Sequence, residues 1–293
     1  MDDFREKFIT LLHYPNMTWN NVYNILKKDP KLEGFYREYI KKNHQETLYS
    51  PIQNPSITPS LTTFYPEIIY DQIRQYKTND IAVITIFDKQ YPPYLKEIFQ
   101  PPWALFAKGD LSILEQEPKL AVVGSRQATQ YGKNAIRMIF PELIEKGVVI
   151  VSGLAKGIDA LAHECAMKHG GRTIAVLAGG FYHIYPKDNM NLALKMMKTQ
   201  LVLSEYPPDT KPQRWQFPAR NRIISGLSRG TLIIEAKRKS GSLITANYAV
   251  NEGREVFSLP GSIFNPYSTG ANELIQQGAK LITKASDILE ELI

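Results

Sequence analysis

The residues best suited to chemistry in this sequence are cations gathered between residues 206 and 240. This stretch holds eight Lys or Arg residues against two acids, so its surplus of six charges equals the net charge of the whole chain. Trp215 and Phe217 lie among the first of these cations. Because cations attract phosphates and flat rings stack on bases, the stretch predicts contact with a nucleic acid. The cations are Lys211, Arg214, Arg220, Arg222, Arg229, Lys237, Arg238 and Lys239.

Two segments in and just after this stretch offer groups that could bind a strand of nucleic acid. QFPARNR, at residues 216–222, offers a ring, two guanidinium groups and an amide. The apolar run 231–234 and SGSLITA, at residues 240–246, predict a strand that leads to a helix N-terminus, where free N–H groups and the helix dipole attract anions. In the alternative interpretation, Phe217 packs in the core and the arginines form ion pairs. The scarcity of nearby acids favours binding.

A second candidate anion site follows the run 120–123, which ends in VVGSRQATQYG. Gly124 and Ser125 would let the backbone approach a phosphate, and Arg126 could add a bidentate contact. A tight turn without a ligand is the alternative. The G-x-G-x-x-G fingerprint is absent, so no dinucleotide cofactor is predicted.

The next glycine-rich segment, VSGLAKGIDALAH at residues 151–163, places Lys156 where it could meet an anion. Asp159 and His163 are four residues apart, so on a helix they can pair with each other, and we expect that pairing to be structural. The five histidines show no ligand spacing, so no metal site is predicted. Glu235 is the one acid that would suit a hydrolase.

The composition places further limits on the class of protein. Hydrophobic content of 43% and charged content of 22% are typical of a soluble globular protein, and the pI near 9.1 favours a polyanionic partner. The single cysteine, Cys165, allows no internal disulfide, which suits a reducing compartment. The N-terminus lacks the apolar core of a signal peptide, and no run of 18 apolar residues is present. We therefore expect a cytoplasmic protein without a membrane span.

The pattern of apolar residues divides the chain near residue 80. Residues 1–80 carry helical spacing at two segments, a proline-rich stretch at 48–63 and a further helix at 66–76, so they predict a small helical domain. Residues 81–293 alternate apolar strands with amphipathic helices, which predicts a doubly wound, mostly parallel α/β sheet that binds ligands at its carboxyl edge. The predicted strands are 81–87, 103–107, 120–123, 148–151, 173–177, 201–204, 231–234, 255–258 and 281–282, and the predicted helices are 131–146, 158–169, 192–198, 220–227, 243–251, 271–277 and 287–292.

Nine ordered sequence blocks between about residue 91 and the C-terminus together resemble the DNA-processing protein A (DprA/Smf) family. They are VVGSRQATQYG, VSGLAKGIDALAHECA, TIAVLAGG, YP at 185–186, LSEYP, QFPARNRIISGLS, SGSLITANYA, GREVFSLPG and GANELIQQGAKLI. The resemblance implies an extended Rossmann-like domain that binds single-stranded DNA. It also implies a homodimer that protects incoming strands during natural transformation and loads the RecA recombinase onto them. Separately, no nucleophile, base and orienting group converge in the sequence, so we expect no catalysed reaction.

The resemblance also implies where the DNA binds. The matching positions are Gly124, Ser125, Arg126, Arg214, Phe217, Arg220, Asn221, Ser240, Gly241, Ser242 and Leu243. Lys156 is added as a candidate DNA contact because of its place in the glycine-rich segment 151–163. Leu274 and Ile275, on a late helix, would contribute to the dimer interface, unless both face the core.

Two features of the resemblance concern the ends of the chain. The match is to the form of the family without a C-terminal winged-helix domain, and residues 1–80 occupy the place of a sterile-alpha-motif-like domain. A Rossmann-like nucleotide phosphoribohydrolase using Glu235 is the main alternative function. A dimeric scaffold for protein partners is another.

Overall fold

The computed structural model describes residues 3–14, 17–35 and 66–293. The chain divides into two compact units, Met1–Asp80 and Ile81–Ile293. In the first unit, the described helices are α1 (Asp3–Leu11), α2 (Trp19–Lys28) and α3 (Pro66–Thr78). The proline-rich stretch 48–63 lies outside the described residues, so the sterile-alpha-motif-like arrangement stays a prediction.

The second unit is built on one mixed sheet. Within the described residues, nine strands pair in the order β1-β2-β6-β5-β4-β3-β7-β8-β9, and β2 alone runs opposite to the others, so its pairs with β1 and β6 are the antiparallel ones. The strands are β1 (Ile81–Thr85), β2 (Ala104–Gly109), β3 (Lys119–Val123), β4 (Val149–Ser152), β5 (Thr173–Leu177), β6 (Leu201–Ser204), β7 (Gly230–Ile233), β8 (Glu255–Ser258) and β9 (Lys280–Leu281).

Helices connect these strands, as parallel pairing requires. They are α4 (Pro93–Lys96), α5 (Gln130–Glu145), α6 (Ile158–Lys168), α7 (Met190–Thr199), α8 (Gln216–Gly226), α9 (Gly241–Asn251), α10 (Thr269–Gln276) and α11 (Ser286–Leu292). No helix among the described residues has the length and apolar character needed to cross a bilayer.

Both faces of the sheet are buried, as the continuous apolar strands predict. On β3, Ala121 and Val123 belong to one core cluster, whereas Leu120 and Val122 belong to another, because successive side chains of a strand point to opposite faces. Residues of α8 and α9 complete the first cluster, and residues of α5 and α6 complete the second. The predicted Rossmann-like, doubly wound, mostly parallel sheet is confirmed.

Strand β3 is the point from which the chain adds strands first to one side of the sheet and then to the other, and this point locates the site. Strands β4, β5 and β6 follow one another on one side of β3, whereas β7, β8 and β9 follow on the other. The connections on the two sides of the sheet separate at such a switch point and leave a crevice at the carboxyl ends of the strands. The loops after β3 and β7 therefore border the crevice.

One predicted helix begins four residues earlier than its sequence pattern indicates. The pattern predicts a helix over 220–227, whereas α8 spans Gln216–Gly226. Proline usually marks the limit of a helix, so the pattern predicts a start after Pro218. Pro218 instead lies in the first turn of α8, where a backbone N–H would have no acceptor within the helix and its absence costs no hydrogen bond. As a result, Phe217 and Arg220 lie on the same helix, about one turn apart.

Candidate nucleic-acid interface

A cavity of about 760 Å³ lies at the carboxyl edge of the sheet. It is bordered by the turn after β3, the loop after β4, the start of α8 and the loop that leads from β7 into α9. Ten of the twelve residues predicted to bind DNA line it, and Lys156 and Leu243 do not. The ten are Gly124, Ser125, Arg126, Arg214, Phe217, Arg220, Asn221, Ser240, Gly241 and Ser242. Their contact with DNA stays a prediction.

The turn after β3 is stabilised by local and long-range hydrogen bonds. The hydroxyl of Ser125 donates to the carbonyl of Gln127 at 3.1 Å and accepts from its N–H at 3.0 Å. The Ser125 carbonyl accepts from the N–H of Ile158 at 3.1 Å, which joins the turn to the start of α6. The turn thereby holds Arg126, whose side chain is exposed at the mouth of the cavity.

Aromatic and cationic side chains meet on one wall. Phe217 is half-buried, with the Tyr185 ring packed edge-on at a centroid distance of 5.5 Å. The Arg126 guanidinium lies 6.0 Å from the Phe217 centroid, at the limit of a cation–π contact. Phe217 is absent from both core clusters, so its ring takes part in the cavity rather than in the core. Arg214, just before α8, is exposed on the same wall.

Arg220 forms part of the floor and is 5% exposed. Its Nη1 donates to the carbonyl of Val176 at 2.6 Å and to that of Gly153, so α8 is tied to the ends of β5 and β4. Burial lowers the pKa of Arg220 to about 10, partly offset by the nearby Asp159 carboxylate. Burial likewise raises the pKa of Asp159, while Arg220 opposes that rise. Arg220 thus supports the cavity from beneath.

The start of α9 closes the opposite wall. Ser240 precedes the helix, and its hydroxyl is 2.7 Å from that of Ser242. The side-chain amide of Asn221 donates to the carbonyl of Gly241 at 3.2 Å, which links α8 to α9. The first N–H groups of a helix lack acceptors within it, so this end can receive an anion.

Two residues predicted to contact DNA lie outside the cavity lining, and one predicted side-chain pair does not form. The Lys156 ammonium pairs with Asp188 at 2.9 Å outside the cavity lining, and Leu243 packs against the core, one residue before cavity-lining Ile244. The predicted pairing of His163 with Asp159 is wrong, because Nδ1 of His163 bonds to the hydroxyl of Thr173 at 2.7 Å.

Glu235, the acid considered for hydrolysis, is 1% exposed and is absent from the cavity lining. Its two carboxylate oxygens accept hydrogen bonds from the N–H of Thr129 at 3.0 Å and from the Thr129 hydroxyl. Since Thr129 directly precedes α5, Glu235 anchors the start of that helix. Its place in the structure supports a role in packing.

Several cavity residues were missed by the sequence analysis. Tyr185 lies in the YP block, but nothing in its local pattern shows that it meets Phe217, 32 positions away. Lys237 belongs to the basic run, yet its position over the Tyr267 ring, 4.2 Å from the centroid, depends on a loop 30 residues later. Gln127 gives no signal beyond its place beside Arg126.

The two residues predicted at a dimer interface differ in burial. Leu274 is 7% exposed and belongs to the first core cluster, whereas Ile275 is partly buried and lies outside both clusters. Leu274 therefore packs within its own chain. Their participation in an interface stays a prediction.

Comparison with known proteins agrees with this architecture. The family model described as DNA recombination-mediator protein A matches residues 82–293, which include every strand of the sheet except the first residue of β1. The chain belongs to this family. The match covers the whole carboxyl edge and the cavity.

Individual proteins of this family are also similar in sequence to this chain. The chain is 51% identical to the DNA processing protein DprA of Bacillus subtilis over 241 residues, which are 82% of this chain and 81% of the relative. It is 47% identical to the protein Smf of Escherichia coli over 203 residues, which are 69% of this chain and 54% of the relative.

Two solved structures share the fold. DNA processing protein A from Streptococcus pneumoniae aligns with a TM-score of 0.71 and 39% identity, over 94% of this chain and 99% of the other. The Helicobacter pylori protein, described by its single-stranded DNA binding mode, aligns with a TM-score of 0.65 and 32% identity, over 72% of this chain and 94% of the other.

Proposed function

We propose that this protein binds single-stranded DNA in the cavity as a recombination mediator. It protects strands that enter the cell in natural transformation and loads RecA onto them, acting in the cytoplasm as a homodimer. One observation carries the proposal: a member of this family has exposed arginines, an aromatic ring and a helix N-terminus around one cavity.

The chemistry of the cavity suits a strand better than a duplex. Arg126 and Arg214 can neutralise phosphates, and the start of α9 offers N–H donors to a phosphate oxygen. Phe217 and Tyr185 present rings on which an unpaired base can stack, and stacking tolerates any base. In a duplex the bases are already stacked on one another, so the rings would find no face to contact.

Fluorescence anisotropy with a labelled single strand, a duplex competitor and a salt titration tests binding. We expect the strand to bind better than the duplex with little sequence preference. Arg126→Ala and Arg214→Ala should each weaken binding. Each should also reduce the salt dependence by about 0.7 log units per log unit of salt for every phosphate that the variant no longer neutralises.

Lys195→Ala is a matched control, because Lys195 is an exposed cation on α7 outside the cavity lining. It removes the same charge from the molecule but should leave the affinity nearly unchanged. Equal losses of affinity in all three variants would mean that net charge, rather than the cavity, holds the strand.

The recombinase step needs its own measurement. RecA-dependent strand exchange on DNA coated with single-strand-binding protein should be faster with the wild-type protein than without it. Arg126→Ala should lose this stimulation together with DNA binding. Tight binding without stimulation would refute the loading step alone.

The proposal includes no chemical turnover. Glu235 has both carboxylate oxygens engaged by Thr129 and lies outside the cavity lining, which leaves it poorly placed to act on a ligand there. Incubation with nucleoside monophosphates or with DNA should release neither free base nor fragments. Release that depends on Glu235 would favour the hydrolase instead.

A further inference from the structure

The loop between β8 and α10 exposes two large apolar side chains at its tip. Ile263 is 82% exposed and Phe264 is 90% exposed, the highest value among the large apolar side chains that the structure describes. Exposing a phenylalanine ring to water is unfavourable, so a ring held in this position suggests a ligand.

Hydrogen bonds hold the loop in one shape. The N–H of Asn265 donates to the carbonyl of Ser262 at 3.0 Å, and the side chain of Asn265 accepts from the N–H of Tyr267 at 3.0 Å. The base of the loop is closed by two bonds between Gly261 and the side chain of Asn272, of 3.1 and 2.9 Å. The turn therefore presents the ring on a fixed support.

The same loop is joined to the cavity through Tyr267. The Tyr267 hydroxyl donates to Oε1 of Gln127 at 2.6 Å, and the Lys237 ammonium lies 4.2 Å from the centre of its ring. Gln127 and Lys237 both line the cavity. Phe264 is three residues from Tyr267, so their Cα atoms are at most about 11 Å apart.

We propose that Phe264, flanked by Ile263, stacks on a base of the bound strand just outside the cavity, on the β8 side. The inference rests on the proposed function and adds a second stacking position to it. A strand leaving the cavity past Lys237 reaches the β8–α10 loop next, because β8 is the neighbour of β7 in the sheet.

The chemistry around Phe264 favours a nucleic acid base over a protein partner. Two side chains form a patch far smaller than the roughly 800 Å² that each partner buries in a stable protein interface. Lys237 lies over the Tyr267 ring, and exposed Lys239 follows it in the loop after β7, so the two can neutralise phosphates beside the stacked base. A flat ring beside cations is the arrangement that binds single strands without sequence preference.

The test compares Phe264→Ala with wild type on thymidine strands of two lengths. A strand of about four nucleotides should fit the cavity alone, and one of about twelve should also reach the loop. The variant should bind the long strand roughly 5- to 150-fold more weakly and the short strand as well as wild type. Phe264→Trp should retain the long-strand affinity, whereas Phe264→Leu, apolar but without a ring, should lose it.

Phe99→Ala is the matched control. Phe99 is 83% exposed, like Phe264. Glu97, two residues before Phe99, pairs with Arg254, which directly precedes β8. Phe99 therefore lies near the amino edge of the sheet, opposite the carboxyl edge that holds the cavity. This variant should bind both strands like wild type. A long strand carrying 5-iodouracil should photocrosslink to the peptide that contains Phe264.

The outcomes separate this inference from the proposed function. If wild type binds neither strand, the proposed function fails and the inference fails with it. If Arg126→Ala loses binding while Phe264→Ala matches wild type on the long strand, the inference alone is wrong. Equal losses on both strands, or a changed oligomeric state in sedimentation, would also overturn it, because Phe264 would then shape the cavity or an interface.

Discussion

At the scale of single residues, the arrangement that most affects the cavity is the buried Arg220 guanidinium with the buried Asp159 carboxylate near it. The guanidinium of Arg220 uses its donors on the carbonyls of Gly153 and Val176, at the ends of two neighbouring strands. Burial acts against the charged form of both side chains, and the opposite charge of each favours the ionised form of the other. Arg220 is therefore a positioning residue for the strand ends that carry the cavity.

Replacing Arg220 should expose this dependence. Arg220→Ala leaves the buried Asp159 carboxylate without a nearby positive charge and two carbonyls without their donor, so we expect a loss of about 3 to 5 kcal/mol in the free energy of unfolding at pH 7. Urea unfolding monitored by circular dichroism measures it. Asp159→Asn combined with Arg220→Ala should recover part of the loss, because the unpaired charge is gone.

The pH dependence has a definite sign. A carboxyl group whose folded pKa is raised contributes stability that is present below its unfolded pKa and is lost as the pH rises through the folded value. Removing Arg220 raises the pKa of Asp159 further, so the stability deficit of the variant should shrink as the pH falls through that raised value. A deficit independent of pH would show that the two carbonyls without a donor, rather than Asp159, cause it.

At the scale of elements, the start of α6 determines where the Gly124–Arg126 turn lies. Gly157 precedes this helix with a φ of 80°, and a Cβ there would lie 2.3 Å from the Ser125 carbonyl oxygen. A side chain at this position would push the turn away. The close approach of helix and turn therefore requires glycine for its lack of a side chain as well as for its conformation.

Two alanine substitutions separate the need for a positive φ from the need for space beside the turn. Gly170 follows α6 with a φ of 74°, and a Cβ there would meet nothing within 4 Å. Gly170→Ala should cost about 1 kcal/mol of stability through backbone strain and leave DNA affinity unchanged. Gly157→Ala should cost more and also weaken strand binding, because Arg126 moves with the turn. Denaturant unfolding and anisotropy measure the two effects, and equal affinities for both variants would contradict this explanation.

At the scale of the whole molecule, the end of the sheet at β9 is where the proposed homodimer would form. The last strand, β9, is an edge strand, and α10 precedes it with Leu274 in the core and Ile275 partly buried. The same helix therefore carries one residue that packs in the core and another that is exposed enough to contact a second subunit. The proposed homodimer predicts different behaviour for the two.

Glutamate substitutions test the dimer. Leu274→Glu buries a charge, so we expect a loss of about 3 kcal/mol or more and a melting temperature lower by roughly 6 to 12 °C. Ile275→Glu should melt close to wild type but sediment as a monomer with weaker DNA binding, since two linked sites raise the effective concentration. An Ile275→Glu protein that stays dimeric would remove this residue from the interface.

The sequence alone determined the architecture and most of the cavity. Strands that are apolar on both faces had to be covered by helices on both sides, so the strand positions followed from local hydrophobic pattern. The Gly124–Arg126 turn and the serines before α9 follow parallel strands, and parallel strands bring their carboxyl ends to one edge of a sheet. The clustering of these segments was therefore predictable.

Only the tertiary structure decided how individual polar side chains are used. Arg220 looked like the other cations of its segment, but it is buried against carbonyls 44 and 67 positions away. Lys156 is paired with Asp188 outside the cavity lining, and His163 bonds to Thr173 in place of Asp159, the partner that local spacing offered. The strand order brings the β8–α10 loop next to the loop after β7. Such pairings depend on distances between segments remote in sequence, and periodicity carries no information about those distances.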